Sequence, residues 1–428
     1  MTVESELASR VGPILSDGTP LRNLIDLDNR EVSMRVLHDP EIHRLELKRI
    51  FARAWVIVAH ESEIPNPGDF VTRYIGEDSV IVTRTADGEI SILLNVCAHR
   101  GMPLCRADAG NEMSFKCPYH GWLFDGSGKL LGAPFERAMY GEWDKSKYGV
   151  RRARAAVRHG VIFGSFGSKT PPLDEYLGEA AYYFDLVFTA AEFEIIGPPM
   201  ETLLETNWKL ISEQSMGDSY HTFSLHESAR ELGVYPPAED LRSAWMDTVK
   251  VCTPQGHCIV GNESSLQVYL EPGSPHPGYK SPAEWDITIG VLFPISTFFS
   301  FSIPVEGGRT YQANLAWHTP RGRGGSAVSL TPLLAKGAPE GLASLLRKTA
   351  GVTNGIISVD DNDVWTAEYA ATRGEIAQEE TLKYNMVPSE RGAPEGWPGA
   401  GAVYAGVSRD DTQWNFWLQW LERMTDEN

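Results

Sequence analysis

Cysteine is scarce in this chain: five residues among 428, at positions 97, 105, 117, 252 and 258. The count is odd, and the N-terminus (MTVESELASR) has neither the basic start nor the apolar run of a secretory signal. Both features argue against a disulfide framework and for reduced thiols or metal ligands. Positive charge is scarce as well. Lys and Arg number 38 against 57 Asp and Glu, a formal net charge of -19. No nucleic acid partner is expected, because phosphate binding needs a dense basic face. Long apolar runs are missing too. No window approaches the roughly 18 residues that span a bilayer, which points away from a membrane partner and towards a cytoplasmic protein. What the chain has is length. An ordinary domain holds roughly 100 to 200 residues, so two domains, or one enlarged by an insertion, are expected around a substantial core. A content of 42% hydrophobic and 22% charged residues is that of a globular protein.

Along the chain the texture changes twice. Around residues 40 to 52, Ile42, Leu45, Ile50 and Phe51 recur at near-helical spacing behind an entry proline, which predicts a short amphipathic helix. From Trp55 to the run GVIFGSFG at 160–167, short β-branched segments are broken by Gly-Asp, Gly-Glu-Asp and Asp-Gly, the pattern of strands joined by tight turns. Beyond about residue 195, helical stretches (roughly 201–226, 338–350, 358–375 and 410–425) alternate with strand-like runs such as ITIGVLFPISTFFSFSIPV and RTYQANLAWHTP. The class expected is α+β. The basic run RRARAAVRH at 151–159 reads as a solvated edge strand, with docking of an acidic ferredoxin as the functional alternative. The last helix sets Trp414, Trp417, Leu418, Leu421 and Met424 on one face, a packing face.

Two short segments carry chemistry. The first is CAHRGMPLC at 97–105 with CPYHGW at 117–122, that is Cys97-x-His99 and Cys117-x-x-His120. Zinc sites usually draw on Cys-x-x-Cys or His-x-x-x-His pairs. Here each half offers one sulfur and one nitrogen, with Gly101 and Gly121 placed to turn the loops. Two facing loops of this kind present two thiolates to one iron and two imidazoles to another, the Rieske arrangement of a [2Fe-2S] cluster. These segments resemble the Rieske domain of bacterial aromatic-ring-hydroxylating oxygenases. Respiratory Rieske proteins carry a disulfide between their loops. The matching places here are Met102 and Tyr119, so the resemblance implies a low-potential, ferredoxin-like cluster.

The second segment is NWKLISEQSMGDSYHTFSLH at 207–226. At about 100° per residue, Gln214, Asp218 and His221 share a helical stripe, while His226 lies about 140° from His221 and joins it only if the helix bends or ends between them. Two histidines and one distant carboxylate form the facial triad of non-haem iron(II) oxygenases. The carboxylate candidates lie in GIISVDDNDVW at 355–365, where Ser358 is placed to cap a helix carrying Asp360, Asp361 and Asp363 in its first turn. Other candidates are weaker. Cys252 and Cys258 flank His257 in CTPQGHC, which reads as a free-thiol loop, and His60, His159, His276 and His318 lack matching partners.

The resemblance runs the length of the chain and implies the large (α) subunit of a Rieske non-haem iron dioxygenase. It implies an all-β Rieske domain, residues 54–168, inserted into a helix-grip catalytic domain (antiparallel sheet plus helices) formed by 1–53 and 169–428. By the same resemblance Cys97, His99, Cys117 and His120 hold the [2Fe-2S] cluster, and His221, His226 and Asp361 hold a mononuclear Fe(II). Asp218 bridges His221 to a Rieske histidine of a neighbouring subunit and so carries electrons between subunits. The implied reaction takes O2 and electrons from NAD(P)H, through a reductase and usually a ferredoxin, and cis-dihydroxylates an aromatic ring. The implied assembly is α3 or α3β3 with a small β subunit. Gln214, Ser215, Thr222, Phe223 and Ile357 are the expected pocket. Ile357 stands where family members often carry Phe or Trp, which suggests room for a polycyclic or biaryl substrate. A Rieske monooxygenase, a salicylate-type hydroxylase or a demethylase, is the alternative.

Overall fold

A computed structural model of the chain describes residues 3–218, 220–231, 248–262, 288–305, 308–322, 324–349, 355–384, 402–405 and 411–426. It divides into two compact units, Phe51–Leu173 and a larger one formed by Met1–Ile50 with Asp174–Asn428.

The inserted unit is built from short strands rich in β-branched residues, several of them buried on consecutive positions, as in Val56–His60 and Val161–Ser165. In chain order these are β1 Val56–His60, β2 Asp69–Ile75, β3 Asp78–Arg84, β4 Ile90–Leu94, β5 Ala109–Asn111, β6 Ser114–Lys116, β7 Leu123–Asp125, β8 Leu130–Gly132, β9 Arg152–Arg158 and β10 Val161–Ser165. Seven form an antiparallel sheet in the order β1-β10-β9-β4-β3-β2-β5, and β8-β7-β6 form a second. Phe70, Ile81, Leu93, Phe115, Trp122 and Phe124 make one core cluster that includes Cys97 and Cys117. The basic strand β9 is not at the edge. It lies between β10, paired from Arg154↔Ser165 to Arg158↔Val161, and β4, paired at Arg152↔Leu93 and Ala153↔Ile92. Its arginines mislead because they do not all face solvent: Arg154 stacks on Trp55 and donates to Gly167 O at 3.1 Å, while Ala155 and Val157 are exposed.

The larger unit is organised by a nine-stranded antiparallel sheet. Its strands are β11 Phe193–Ile195, β12 Met200–Leu204, β13 Thr248–Cys252, β14 Cys258–Asn262, β15 Thr288–Leu292, β16 Ser296–Val305, β17 Gly308–Pro320, β18 Ser326–Ala335 and β19 Ala402–Ala405. The order is β11-β18-β17-β16-β15-β14-β13-β19, with β12 also on β18. The helices that matter for function are α1 Pro40–Glu46, α2 Ala180–Phe188, α3 Trp208–Ser215, α4 Gly355–Ala371 and α5 Asp411–Thr425.

Three sequence expectations change here. The helix expected over 201–226 is strand β12, then α3, then a 3-10 turn at Tyr220–Phe223. Asn207 caps α3 by accepting from Lys209 N at 3.0 Å, a start signal already present in NWKL. Ser358 is not at the start of α4, which begins at Gly355, and Asp360, Asp361 and Asp363 fall beyond its first turn. Helix α5 has no single packing face: Phe416 and Trp420 are as buried as Trp417 and Leu421, so it runs through the core.

Glu46 ties three remote parts of this unit together. Fully buried, it accepts from Lys209 Nζ at 2.6 Å and from Trp208 Nε1 at 2.9 Å on α3, and from Trp420 Nε1 at 2.8 Å on α5. A buried carboxylate persists only with its charge paired and its lone pairs bonded, and both conditions are met.

Candidate metal centres

The two cysteine-histidine loops are folded alike. Cys97 N donates to Met102 O at 2.8 Å and Gly101 N to Cys97 O at 2.9 Å; Cys117 N donates to Trp122 O at 2.8 Å and Gly121 N to Cys117 O at 2.9 Å. Gly101 and Gly121 take φ of 78° and 71°, the left-handed region that only glycine enters without strain. Both cysteines are buried, and the rings of His99 and His120 meet edge to face with centroids 4.7 Å apart. Trp122 stacks on His99 at 4.6 Å and fixes its plane.

Electrostatics act oppositely on the two ligand types. Burial raises the pKa of the Cys97 thiol, with the neighbouring Cys117 adding to it and backbone amides of His99 and Arg100 opposing. Burial, His120 and Arg100 all lower the pKa of His99, which keeps its ring neutral with a free lone pair. The Nδ1 atoms of His99 and His120 are buried with no hydrogen-bond partner. Two sulfurs and two unengaged nitrogens fit a [2Fe-2S] cluster, whose iron would complete what the protein leaves unbonded. All five cysteines are free thiols. Cys105 is held through its backbone, which Asn95 clamps by accepting from Cys105 N at 2.9 Å and donating to its carbonyl at 2.8 Å.

The second centre gathers residues from two remote segments. Helix α3 stops at Ser215, and Gly217 at φ 118° turns the chain so that Asp218 and His221 fold back. The expected helical stripe therefore does not exist, yet its members converge through the loop. His221, His226 and Asp361 bring one ligand atom each within 4.8 Å of one another. Asp361 Oδ1 stands 3.6 Å from His221 Nε2 and 3.6 Å from His226 Nε2. The far nitrogens face carboxylates: His221 Nδ1 lies 3.2 Å from Asp218 Oδ2, and His226 Nδ1 lies 3.3 Å from Asp360 Oδ2. A carboxylate behind each imidazole fixes the tautomer that turns Nε2 to a metal. Burial raises the pKa of Asp361 against the pull of both histidines and Gln214, so a cation here would relieve a strained carboxylate. Burial also acts on Asp218, but bonds from His221 and from the backbone of Tyr220 and His221 outweigh it and hold the carboxyl low. This donor set fits one ferrous ion with positions left open.

Of the expected pocket, Gln214 is at the centre. Its Nε2 donates to Asp361 Oδ1 at 3.1 Å, and its Oε1 accepts from Trp365 Nε1 at 2.6 Å. Ser215 turns back to its own helix, donating to Ile211 O at 2.7 Å. Thr222 and Phe223 are in the 3-10 turn and Ile357 is in α4, but their side chains lie outside the described residues, as does His276. Sequence reasoning missed the roles of Asp360 and Trp365. The second was findable, since a residue four after Asp361 on a helix shares its face.

The remaining candidates are structural. CTPQGHC is a hairpin in which Cys252 and Cys258 face each other across β13 and β14. His257, fully buried with its pKa lowered to about 4 by burial, meets Tyr176 O at 2.9 Å and accepts from Phe293 N at 3.0 Å. His60 caps the turn Glu61–Glu63. No helix among the described residues is long and apolar enough to cross a membrane.

Comparison with known proteins gives the family. Residues 54–147 match the model of the Rieske [2Fe-2S] domain. The chain is 30% identical over 437 residues to the biphenyl dioxygenase subunit alpha of Metapseudomonas furukawaii, covering 95% of this chain and 93% of that protein. It is 31% identical to the N,N-dimethyl phenylurea N-demethylase subunit alpha of Sphingobium sp. (strain YBL2), covering 94% and 93%. Among solved structures, naphthalene 1,2-dioxygenase from Rhodococcus sp. bound to indole superposes with a TM-score of 0.79 at 32% identity, covering 93% of this chain and 95% of that one. The chain belongs to the Rieske non-haem iron aromatic-ring-hydroxylating dioxygenases, as a large, terminal-oxygenase alpha subunit.

Proposed function

We propose that this subunit adds both atoms of O2 to one face of an aromatic ring of biphenyl or naphthalene size, giving a cis-dihydrodiol. The electrons come from NAD(P)H through a reductase and a ferredoxin. We propose the cytoplasm as its location. The observation that carries the reading is the pairing in one chain of two open donor sets, Cys97, His99, Cys117 and His120 in one unit and His221, His226 and Asp361 in the other. When bound, the cluster supplies electrons singly and the ferrous ion supplies open positions for dioxygen.

The chain's own residues do the rest. Asp360 bonds to Nδ1 of His226 and the Asp218 carboxylate stands 3.2 Å from Nδ1 of His221, so that both Nε2 lone pairs converge. Trp365 holds the amide of Gln214 so that its NH2, not its oxygen, faces Asp361, which keeps a fourth protein ligand off the metal. Asp218 is half-exposed, as a residue must be if it also meets His120 of an adjacent subunit, and on that ground we propose an α3 core, with or without β subunits.

Turnover under 18O2 after anaerobic reduction, with biphenyl and naphthalene as substrates, tests the reading by mass spectrometry. A diol carrying two labels is expected; a single labelled hydroxyl would sink ring dihydroxylation. The relation to a phenylurea demethylase at equal identity favours N-dealkylation as second reading. Formaldehyde released from an N-methyl arylurea would establish it.

A further inference from the structure

Tyr384, just past the short strand Thr381–Lys383, is joined to the ferrous donor set by an unbroken line of covalent and hydrogen bonds. Its hydroxyl donates to Glu213 Oε1 at 2.9 Å. Glu213 precedes Gln214 on α3, and Gln214 Nε2 donates to Asp361 Oδ1 at 3.1 Å. Trp365, bonded through Nε1 to Gln214 Oε1 at 2.6 Å, sets a second oxidisable ring beside the same donors. From the other side the Tyr384 oxygen accepts from Trp417 Nε1 on α5.

The acceptor sets this phenol apart. Tyr176 donates to a backbone carbonyl, Phe293 O at 2.7 Å, which has no means of taking the proton away. Glu213 is a carboxylate within proton-transfer distance, and it does. Burial, with the facing Glu213 adding to it, raises the pKa of the Tyr384 phenol, so the proton stays on oxygen while the ring is intact. A phenol that loses an electron becomes a strong acid, and its proton then has a bond already made along which to leave. The N–H of Trp417 remains on the oxygen left behind, and at 8% exposed the ring is screened from solvent. A base on one side, a donor on the other and little water around suit a side chain that holds an unpaired electron.

Resting on the oxygenase reading, we propose that Tyr384 is a redox-active residue that draws oxidising equivalents away from the ferrous site when no aromatic substrate is there to receive them. With hydrogen peroxide as the oxidant, the O–O bond breaks and, with two protons from water, two water molecules form. One of the two electrons consumed comes from the ferrous ion, which becomes ferric. The other comes from Tyr384, whose hydroxyl proton passes to Glu213 and which is left as a neutral tyrosyl radical. His221 and His226 are thereby spared oxidation.

The test is electron paramagnetic resonance of the iron-loaded protein, frozen rapidly after hydrogen peroxide is added, with the cluster left oxidised so that it has no electron to give. A tyrosyl signal is expected, narrowed in protein made with ring-deuterated tyrosine and absent when zinc replaces the ferrous ion. Tyr384→Phe should remove it. Glu213→Gln, which still accepts the hydroxyl but takes no proton, should lower its yield, and peptide mapping of both variants should find more oxidised His221 and His226 than in the unaltered protein. The proposal is overturned by the absence of a tyrosyl signal, by one that persists with zinc or in Tyr384→Phe, or by a yield and histidine oxidation unchanged in Glu213→Gln. Products measured in parallel under 18O2 separate the two ideas. Labelled biphenyl diol without the radical removes the role of Tyr384 and keeps the oxygenase, whereas the radical without any oxygenated product does the reverse.

Discussion

The two metal-binding regions solve the same problem at different scales. The cysteine-histidine centre is local: four donors within 24 residues, Cys97 to His120, on two loops with the same backbone hydrogen bonds. The histidine-aspartate centre is assembled. His221 and Asp361 are 140 residues apart, and a loop after α3 and the body of α4 must both be placed before they meet. A local centre is shaped by its own turns. An assembled one inherits its shape from the core, and needs carboxylates and an amide around it to hold its ligands in line.

The largest effect expected breaks the pair apart. Cys117→Ser should remove the visible cluster absorbance and leave ferrous ion binding intact; Asp361→Ala should do the opposite, and each should abolish turnover. Loss of both metals in either variant, by iron and sulfide analysis, would show that the centres are not independent. A smaller effect sharpens the idea of an assembled site. Asp360→Asn should weaken iron retention by about 10- to 100-fold while the cluster spectrum stays unchanged, because His226 loses the partner that orients it. The smallest distinguishes the twin loops. Ala at either glycine costs about 1–2 kcal/mol of left-handed backbone strain. At Gly101 a Cβ meets nothing within 4 Å, whereas at Gly121 it would stand 2.7 Å from Pro134 Cγ. Thermal unfolding of the cluster-bearing unit should therefore fall further for Gly121→Ala than for Gly101→Ala, and equal shifts would refute the packing difference.

Legibility followed the same division. Cys97, His99, Cys117 and His120 could be read from spacing because their geometry is made by nearby glycines. For His221, His226 and Asp361 the residue types and a family likeness pointed the way, while the helical arithmetic did not: Gly217 ends the stripe, and a loop restores the convergence. The role of Asp360 was hidden because an acid early in a helix has a simpler explanation. That β17 buries Gln312, Asn314 and His318 on one of its faces was hidden for another reason. In a strand buried on both sides, residues such as Asn314 and Leu315 alternate without any solvent to tell the two faces apart. The same lack of contrast concealed that α5 is buried nearly all round.

The bonds to Glu46 bear on the order in which a nascent chain matures. Once residue 173 has left the ribosome, every strand of the inserted unit has its partners, and that part is free to settle. Glu46 has already been made by then, but it waits for Lys209 and, much later, for Trp420. The fold around His221, His226 and Asp361 is thus sealed only after Trp420 has been made, and a ribosome stalled before that point would hold out a finished Rieske module on a tether with no closed partner unit behind it.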